Sequence, residues 1–328
     1  MKALGSEFPH YAVFAPSDHD LLIIASDRPV PVAASAHIFE DPGMAAELWS
    51  IQMMAPGDFD ARYLGNRAVL EPLFESYAIP ANSDFNPVLD LRAARDRFTE
   101  RSASDVVGLL NASVPVLELF TPEFVRRAPN PLVTGSDLRA GNMRLARYAH
   151  DVLLSESSSP PDEISAQLQK DLEIVRFRLI ECRAPRDHDV WLHSLSRLSA
   201  LINPNLETGA LKELWRRLAT DCAVHLFPYQ RDWLALFRAV GDRDAKRMAA
   251  LGAQLLDTQT GVFSEAREFL LSAAMAGAIA TGDRAAALKL WNSHKEALGA
   301  KAAQPLLRLL RCQSGPGCVA DFAAYERR

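Results

Sequence analysis

Carboxylate and amide side chains gather at two places in the first third of the chain. Asp18 and Asp20 flank His19 in Pro16-Ser17-Asp18-His19-Asp20, and Asn82, Asp84 and Asn86 alternate along Asn82-Ser83-Asp84-Phe85-Asn86-Pro87-Val88-Leu89-Asp90. Oxygens are what a protonated amine needs: a carboxylate accepts charge-assisted hydrogen bonds, and amide oxygens supply further acceptors. The second group has the chemistry to hold a polyamine, and equally the chemistry to cap turns ahead of Pro87. Asp18 and Asp20 sit where substrate loops emerge from the edge of an α/β sheet, although Asp is also simply a good turn residue.

Other chemistry is harder to find, and no catalytic residue stands out. His188 and His193 are five positions apart, about 140° away from a shared helical face and unlike the four-residue spacing of helical zinc ligands, so no metal site is expected. Gly315-Pro316-Gly317 lies near the C-terminus with no strand before it, so it is a turn and not a phosphate-binding loop. No Gly-x-Ser-x-Gly nucleophile elbow is present. Cys182 and Cys222 lie in apolar, helical sequence and read as buried thiols. Cys312 and Cys318 flank Gln-Ser-Gly-Pro-Gly, a loop that lets them meet as a disulfide or redox pair or leaves them as two reduced thiols.

The elements that must position these residues change character along the chain. Its 328 residues, 48% hydrophobic and 23% charged, suit about two globular domains. A net charge of -5 with Arg interleaved among Asp and Glu leaves no basic stripe for nucleic acid. The most apolar run, 269–280, is too short to span a membrane, and Met1 to Glu7 is no secretory signal, so a cytoplasmic protein is expected. Tyr11 to Ala15 and Asp20 to Ser26 read as two antiparallel strands. Leu21-Leu22-Ile23-Ile24-Ala25 is continuously apolar, the pattern of a strand covered on both faces by helices. Helices are expected at 42–53, 58–64, 67–75, 102–110 and 121–127.

Ser155-Glu156-Ser157-Ser158-Ser159-Pro160-Pro161 is the clearest linker, and beyond it the chain reads as almost wholly helical. Apolar stripes run through Ile164, Leu168, Leu172, Val175 and Leu179, then through 191–202 and 211–218. Ala239-Val240-Gly241-Asp242-Arg243 is matched by Ala280-Thr281-Gly282-Asp283-Arg284, an offset of 41 residues. In each copy Gly can end one helix in a left-handed conformation and Asp can cap the next. Such hairpins resemble tetratricopeptide-like repeats, although their usual period is about 34 residues.

Phe8-Pro9-His10-Tyr11, the two strands and Ala25-Ser26-Asp27-Arg28-Pro29 resemble the closing strands of the spermidine synthase-like fold, in the variant fused to upstream membrane helices. That variant carries a motif close to Asn-Thr-Asp-Asp-Arg-Pro-Val-Leu-Glu. Asn82 to Asp90 matches it at Asn, Asp, Pro, Val and Leu. The resemblance covers about Met1 to Phe98 and implies aminopropyl transfer from decarboxylated S-adenosylmethionine to a polyamine. It places the donor-binding loop, the ribose-holding acidic residue and the catalytic Asp region before Met1, so no cofactor is expected to bind this chain. Pro16-Ser17-Asp18-His19 stands where the family has a Tyr-Pro-containing substrate loop.

The expected architecture is an α/β remnant, the closing antiparallel strands of a Rossmann-like methyltransferase-type sheet with helices (1–100). A connector and linker (101–160) lead to a tetratricopeptide-like helical domain (161–328). On the first reading the chain is the C-terminal part of a spermidine synthase-like protein, inactive alone. Its open sheet edge would expose Leu21 to Ala25 to a completing polypeptide, with membrane association only through an upstream or partner segment. On the second it is a non-enzymatic interaction module for a protein partner, a reading that a groove lined by Trp191, Trp215, Trp233 and Trp291 would favour, although these four are more often core residues of stacked helices.

Overall fold

The computed structural model describes residues 1–17, 20–85, 87, 91, 104–130, 138–154, 158–162, 164–180, 187–221, 226–259 and 262–326. A short helix α1 (Lys2–Glu7) leads into strands β1 (His10–Phe14) and β2 (Leu22–Ser26). The two pair antiparallel from His10 opposite Ser26 to Phe14 opposite Leu22, as the two apolar runs and their intervening turn predict. A third strand, β3 (Tyr63–Asn66), pairs antiparallel with the other edge of β1, giving the order β2-β1-β3 with a bulge between Val13 and Phe14. Bound on both sides, β1 buries Tyr11, Ala12 and Val13.

Helix α2 (Pro42–Ser50) forms where its spacing predicts, with Asp41 as N-cap. The helix expected at 58–64 is a correction: α3 (Pro56–Asp60) ends early, and Tyr63 and Leu64 enter β3 instead. Asp58 accepts from the Met54 and Ala55 amides (both 2.8 Å) and from the Asn130 amide (2.9 Å), while Asp60 takes the Arg127 guanidinium, so both aspartates serve neighbouring segments. The Ala15 amide meanwhile reaches the Arg62 carbonyl at 2.8 Å, drawing the following residues into the sheet. Helix α4 (Arg67–Glu75) falls where expected, capped by Asn66, and buries Val69, Leu70, Leu73 and Phe74.

The expected helix at 102–110 begins as α5 (Ser104–Val107) and continues as a 3-10 turn, Gly108–Asn111. The helix expected at 121–127 is absent, a second correction: a helix stands earlier, α6 (Val116–Phe120), and residues 121–130 are irregular. There the Arg127 amide donates to Asp60 Oδ2 (3.0 Å) instead of to a helical carbonyl, and the Arg127 side chain follows it to both Asp60 oxygens, each at 2.7 Å.

Most of the rest of the described chain is helical: α7 (Leu138–Leu153), α8 (Ala166–Ile180), α9 (His188–Asn205), α10 (Thr208–Thr220), α11 (Pro228–Asp242), α12 (Ala245–Thr258), α13 (Ser264–Ala280), α14 (Arg284–His294), a 3-10 stretch kinked at Gly299 (Lys295–Ala303), α15 (Pro305–Gln313) and α16 (Cys318–Glu326). Helix α13 is buried almost throughout from Phe269 to Ile279, and its small residues bring the α12 backbone close. A Cβ on Gly277 would lie 2.4 Å from the Ala245 carbonyl oxygen, and one on Gly252 would lie 2.9 Å from the Ala274 amide nitrogen. One cluster of buried apolar side chains runs from Tyr11 in the sheet to Phe322 in α16.

The two Gly-Asp-Arg copies do not make the same turn. In the second, Gly282 is left-handed (φ 85°) and Asp283 caps α14 through the Ala286 amide, as expected. In the first, Gly241 stays helical; Arg243 takes the left-handed position (φ 57°) and Asp244, not Asp242, caps α12. Gly241 instead serves packing: it lies against Trp215, where a Cβ would come within 2.6 Å of the indole.

Candidate functional site

Strand β2 is an edge strand with exposed apolar residues among the described part of the chain. Its inner edge is hydrogen-bonded to β1, and among the described residues no strand pairs with its outer edge. Successive strand residues point to opposite faces, and Leu22, Ile23 and Ile24 are 53%, 39% and 45% exposed, so neither face of its first half is covered. The covering helices expected on both faces are therefore a correction: the described chain does not supply them. Met44, Trp49, Ile51 and Met54, in and just after α2, add further exposed apolar surface in the same third of the sequence.

The sequence-predicted polar residues are only partly within view. Asp18 and Asn86 lie outside the described residues, as do Cys182, Cys222 and Ser155 to Ser157 of the linker. Asp20 accepts from the Ser17 hydroxyl at 2.8 Å while its own amide donates back to that oxygen at 3.1 Å, a self-contained turn. Asn82 and Asp84 are exposed on the segment after α4, beside a fully exposed Phe85. The described geometry does not gather these residues into one enclosed site.

The four tryptophans are core residues, the commoner of the two readings open to them. Trp191, Trp215, Trp233 and Trp291 are all fully buried; Trp215 stacks on Phe237 at 5.0 Å, and its indole N–H donates to Asn203 at 2.8 Å. Stacked helices enclose their large aromatics, and that burial weakens the interaction-module reading, which a tryptophan-lined groove would have favoured. His188 and His193 turn to different neighbours, His188 edge-on to Tyr229 and His193 stacked on Phe263. Among the described residues no three His, Cys, Asp or Glu side chains converge to hold a metal.

Sequence reasoning missed a cleft of about 430 Å³ between α9 and α13, lined by Ser113, His193, Ser196, Arg197, Phe263 and Glu268 among others. Burial pushes the Glu268 carboxyl above its ordinary range; nearby Lys301 opposes this and Glu265 reinforces it. Arg197 is already committed to Asp171, at 2.5 and 2.7 Å, so Glu268 and the His193–Phe263 stack define what the cleft offers. No sequence signal marks it, because its residues come from segments far apart in the chain.

The chain matches no family model, no curated protein and no solved structure. Among the described residues no helix is long and apolar enough to cross a membrane.

Proposed function

We propose that this chain is the C-terminal part of a spermidine synthase-like protein whose α/β sheet is completed along β2 by further polypeptide. The observation that carries the reading is the exposed apolar run Leu22 to Ile24 on a strand with one unpaired edge. An added strand would satisfy the free backbone groups of that edge, and helices accompanying it would cover both faces. On this reading β1 and β2 are the closing strands of a Rossmann-like sheet. The helical half, a tetratricopeptide-like stack of hairpins, braces them from behind through α15 and α4. Aminopropyl transfer from decarboxylated S-adenosylmethionine would need the completing segment for the donor, while Asn82 and Asp84 would remain as part of the amine-facing wall.

Calorimetric titration of the purified chain tests this. The expected result is no heat with decarboxylated S-adenosylmethionine, and binding of putrescine or spermidine that Asp84→Ala abolishes. Donor binding by the chain alone would contradict the need for a completing segment. Silence with every ligand would remove the amine-binding part of the reading and favour a purely structural or interaction role.

A further inference from the structure

His193, Ser196, Arg197 and Ala200 follow one another in α9 at helical spacing, which puts them on one face of that helix. That face forms one wall of the cleft of about 430 Å³, and Phe263, Glu268 and Phe269, at the start of α13, form another. Sites for small molecules have volumes of about 300–1,000 Å³, so the space suits one. Of its lining, Phe269 is buried while Arg197, Ala200 and Glu265 are exposed, giving the cleft a closed floor and a mouth open to solvent.

Charge inside the cleft does not cancel. Arg197 is neutralised by Asp171, which it grips with two hydrogen bonds, and Glu265 is paired with Lys301. Glu268 has no hydrogen bond or ion pair among the described residues. Lys301 and Glu265 act on it only through space, so burial dominates and its carboxyl stays above the ordinary range. The Ser196 hydroxyl is also buried without a hydrogen-bond partner among the described residues. A half-buried carboxylate and a hydroxyl are therefore left as acceptors that nothing in the described chain uses. The rest of the lining is mainly apolar: Ala200, Phe269 and the His193–Phe263 pair, whose rings stack at 3.4 Å with 14° between their planes.

We propose that the cleft between α9 and α13 binds a small primary ammonium compound that carries one positive charge and an apolar body. Glu268 takes the ammonium, Ser196 offers a second acceptor, and the side formed by His193, Phe263 and Ala200 covers the body. A second ammonium would gain little, because Glu265 is already committed to Lys301. An anion would face the Glu268 carboxylate with the Arg197 charge already spent on Asp171. The site belongs to the helical half, and it stands or falls independently of the reading of β2 and of Asp84.

Saturation-transfer NMR titrations of the purified full chain test this with three probes that share one body: phenethylamine, 2-phenylethanol and 3-phenylpropanoate. Phenethylamine should bind at least about tenfold more tightly than the alcohol, the size expected of a hydrogen bond to a charged group, and the carboxylate should not bind. Glu268→Gln should bring the amine to the level of the alcohol, whereas Asp84→Ala should leave it unchanged. Equal binding of amine and alcohol overturns the proposal, as does silence with all three probes. Amine binding that survives Glu268→Gln but is lost in Asp84→Ala overturns it too, because the ammonium would then sit elsewhere. The comparison of probes on the unsubstituted chain decides the matter even if the Gln variant folds poorly.

Discussion

Arg308 and Ser76, 232 positions apart, meet through a hydrogen bond of 2.8 Å from the guanidinium Nε to the serine hydroxyl. Arg308 also donates to the Ser76 carbonyl at 3.1 Å, and its guanidinium lies 4.0 Å over the Tyr77 ring and 4.7 Å over Phe322. A single buried side chain thus fastens α15 to the end of α4. Arg308→Ala should lower stability by about 2–3 kcal/mol, since hydrogen bonds to charged groups contribute more than neutral ones and the stacking is lost as well. Arg308→Lys should recover little, because an ammonium cannot serve two acceptors in a plane while stacking on a ring. Urea denaturation of the three proteins checks this; a Lys variant as stable as the parent would show that charge alone matters.

Glu118 is buried between two guanidinium groups, 3.2 Å from Arg243 and 3.5 Å from Arg126. Burial opposes its ionisation, but Arg126 and Arg243 outweigh that and hold the carboxyl below the usual range. Glu118→Gln would leave two buried cations facing each other and should cost about 3–5 kcal/mol. The sign with pH follows from the depressed value in the folded state. The contribution is complete above the unfolded carboxyl pKa, about 4.3, and is lost as pH falls through the lower folded value. Unfolding free energy measured from pH 5 down to pH 2 should therefore fall less steeply in the Gln variant; identical slopes would assign the acid sensitivity elsewhere.

Gly277→Ala should destabilise despite the higher helix propensity of alanine, worth about 1 kcal/mol. The added Cβ would meet backbone atoms of Ala245 and Ala249 at 2.4 and 2.5 Å, and backbone cannot swing aside as a side chain can. Separating α12 from α13 should cost about 1–3 kcal/mol beyond the propensity gain. Gly209→Ala in α10 is the internal control: nothing lies within 4 Å of its Cβ position. That variant should be stabilised by about 0.5–1 kcal/mol. Thermal melts that shift the same way for both would contradict the packing argument.

Ile23 and its cross-strand neighbour Val13 should respond oppositely to charge. Ile23→Lys, on the exposed strand, should change stability by less than about 0.5 kcal/mol and reduce dye binding to apolar surface. Val13→Lys, fully buried in β1, should prevent stable folding. A large loss of stability in Ile23→Lys would mean that β2 is covered in solution.

What the sequence conveyed was what its local chemistry decides. The β1–β2 hairpin was legible because two apolar runs flank a Pro-Ser turn, and α4 because Asn66 caps an apolar stripe at helical spacing. Strand β3 was not, since it is four residues long and its partner, β1, is some fifty positions away in the chain. The first Gly-Asp-Arg turn was misplaced because identical letters do not reveal that this helix continues to Asp242 and that its glycine packs against Trp215. For the tryptophans both a core and a groove stayed open, because helical spacing shows which face is apolar but not whether another helix lies on it. At β2 the same distinction runs the other way. Continuous apolarity records that both faces suit cover, and says nothing of where the cover comes from.

The uncovered strand also bears on the fate of the molecule in a cell. Leu22, Ile23 and Ile24 form a short extended apolar stretch that the described residues leave exposed, the kind of surface by which a chain is triaged between folding and degradation. On the proposed reading, occupancy of that edge by the completing polypeptide would set the lifetime of the protein. Copies made in excess of whatever fills it would be the first to be degraded.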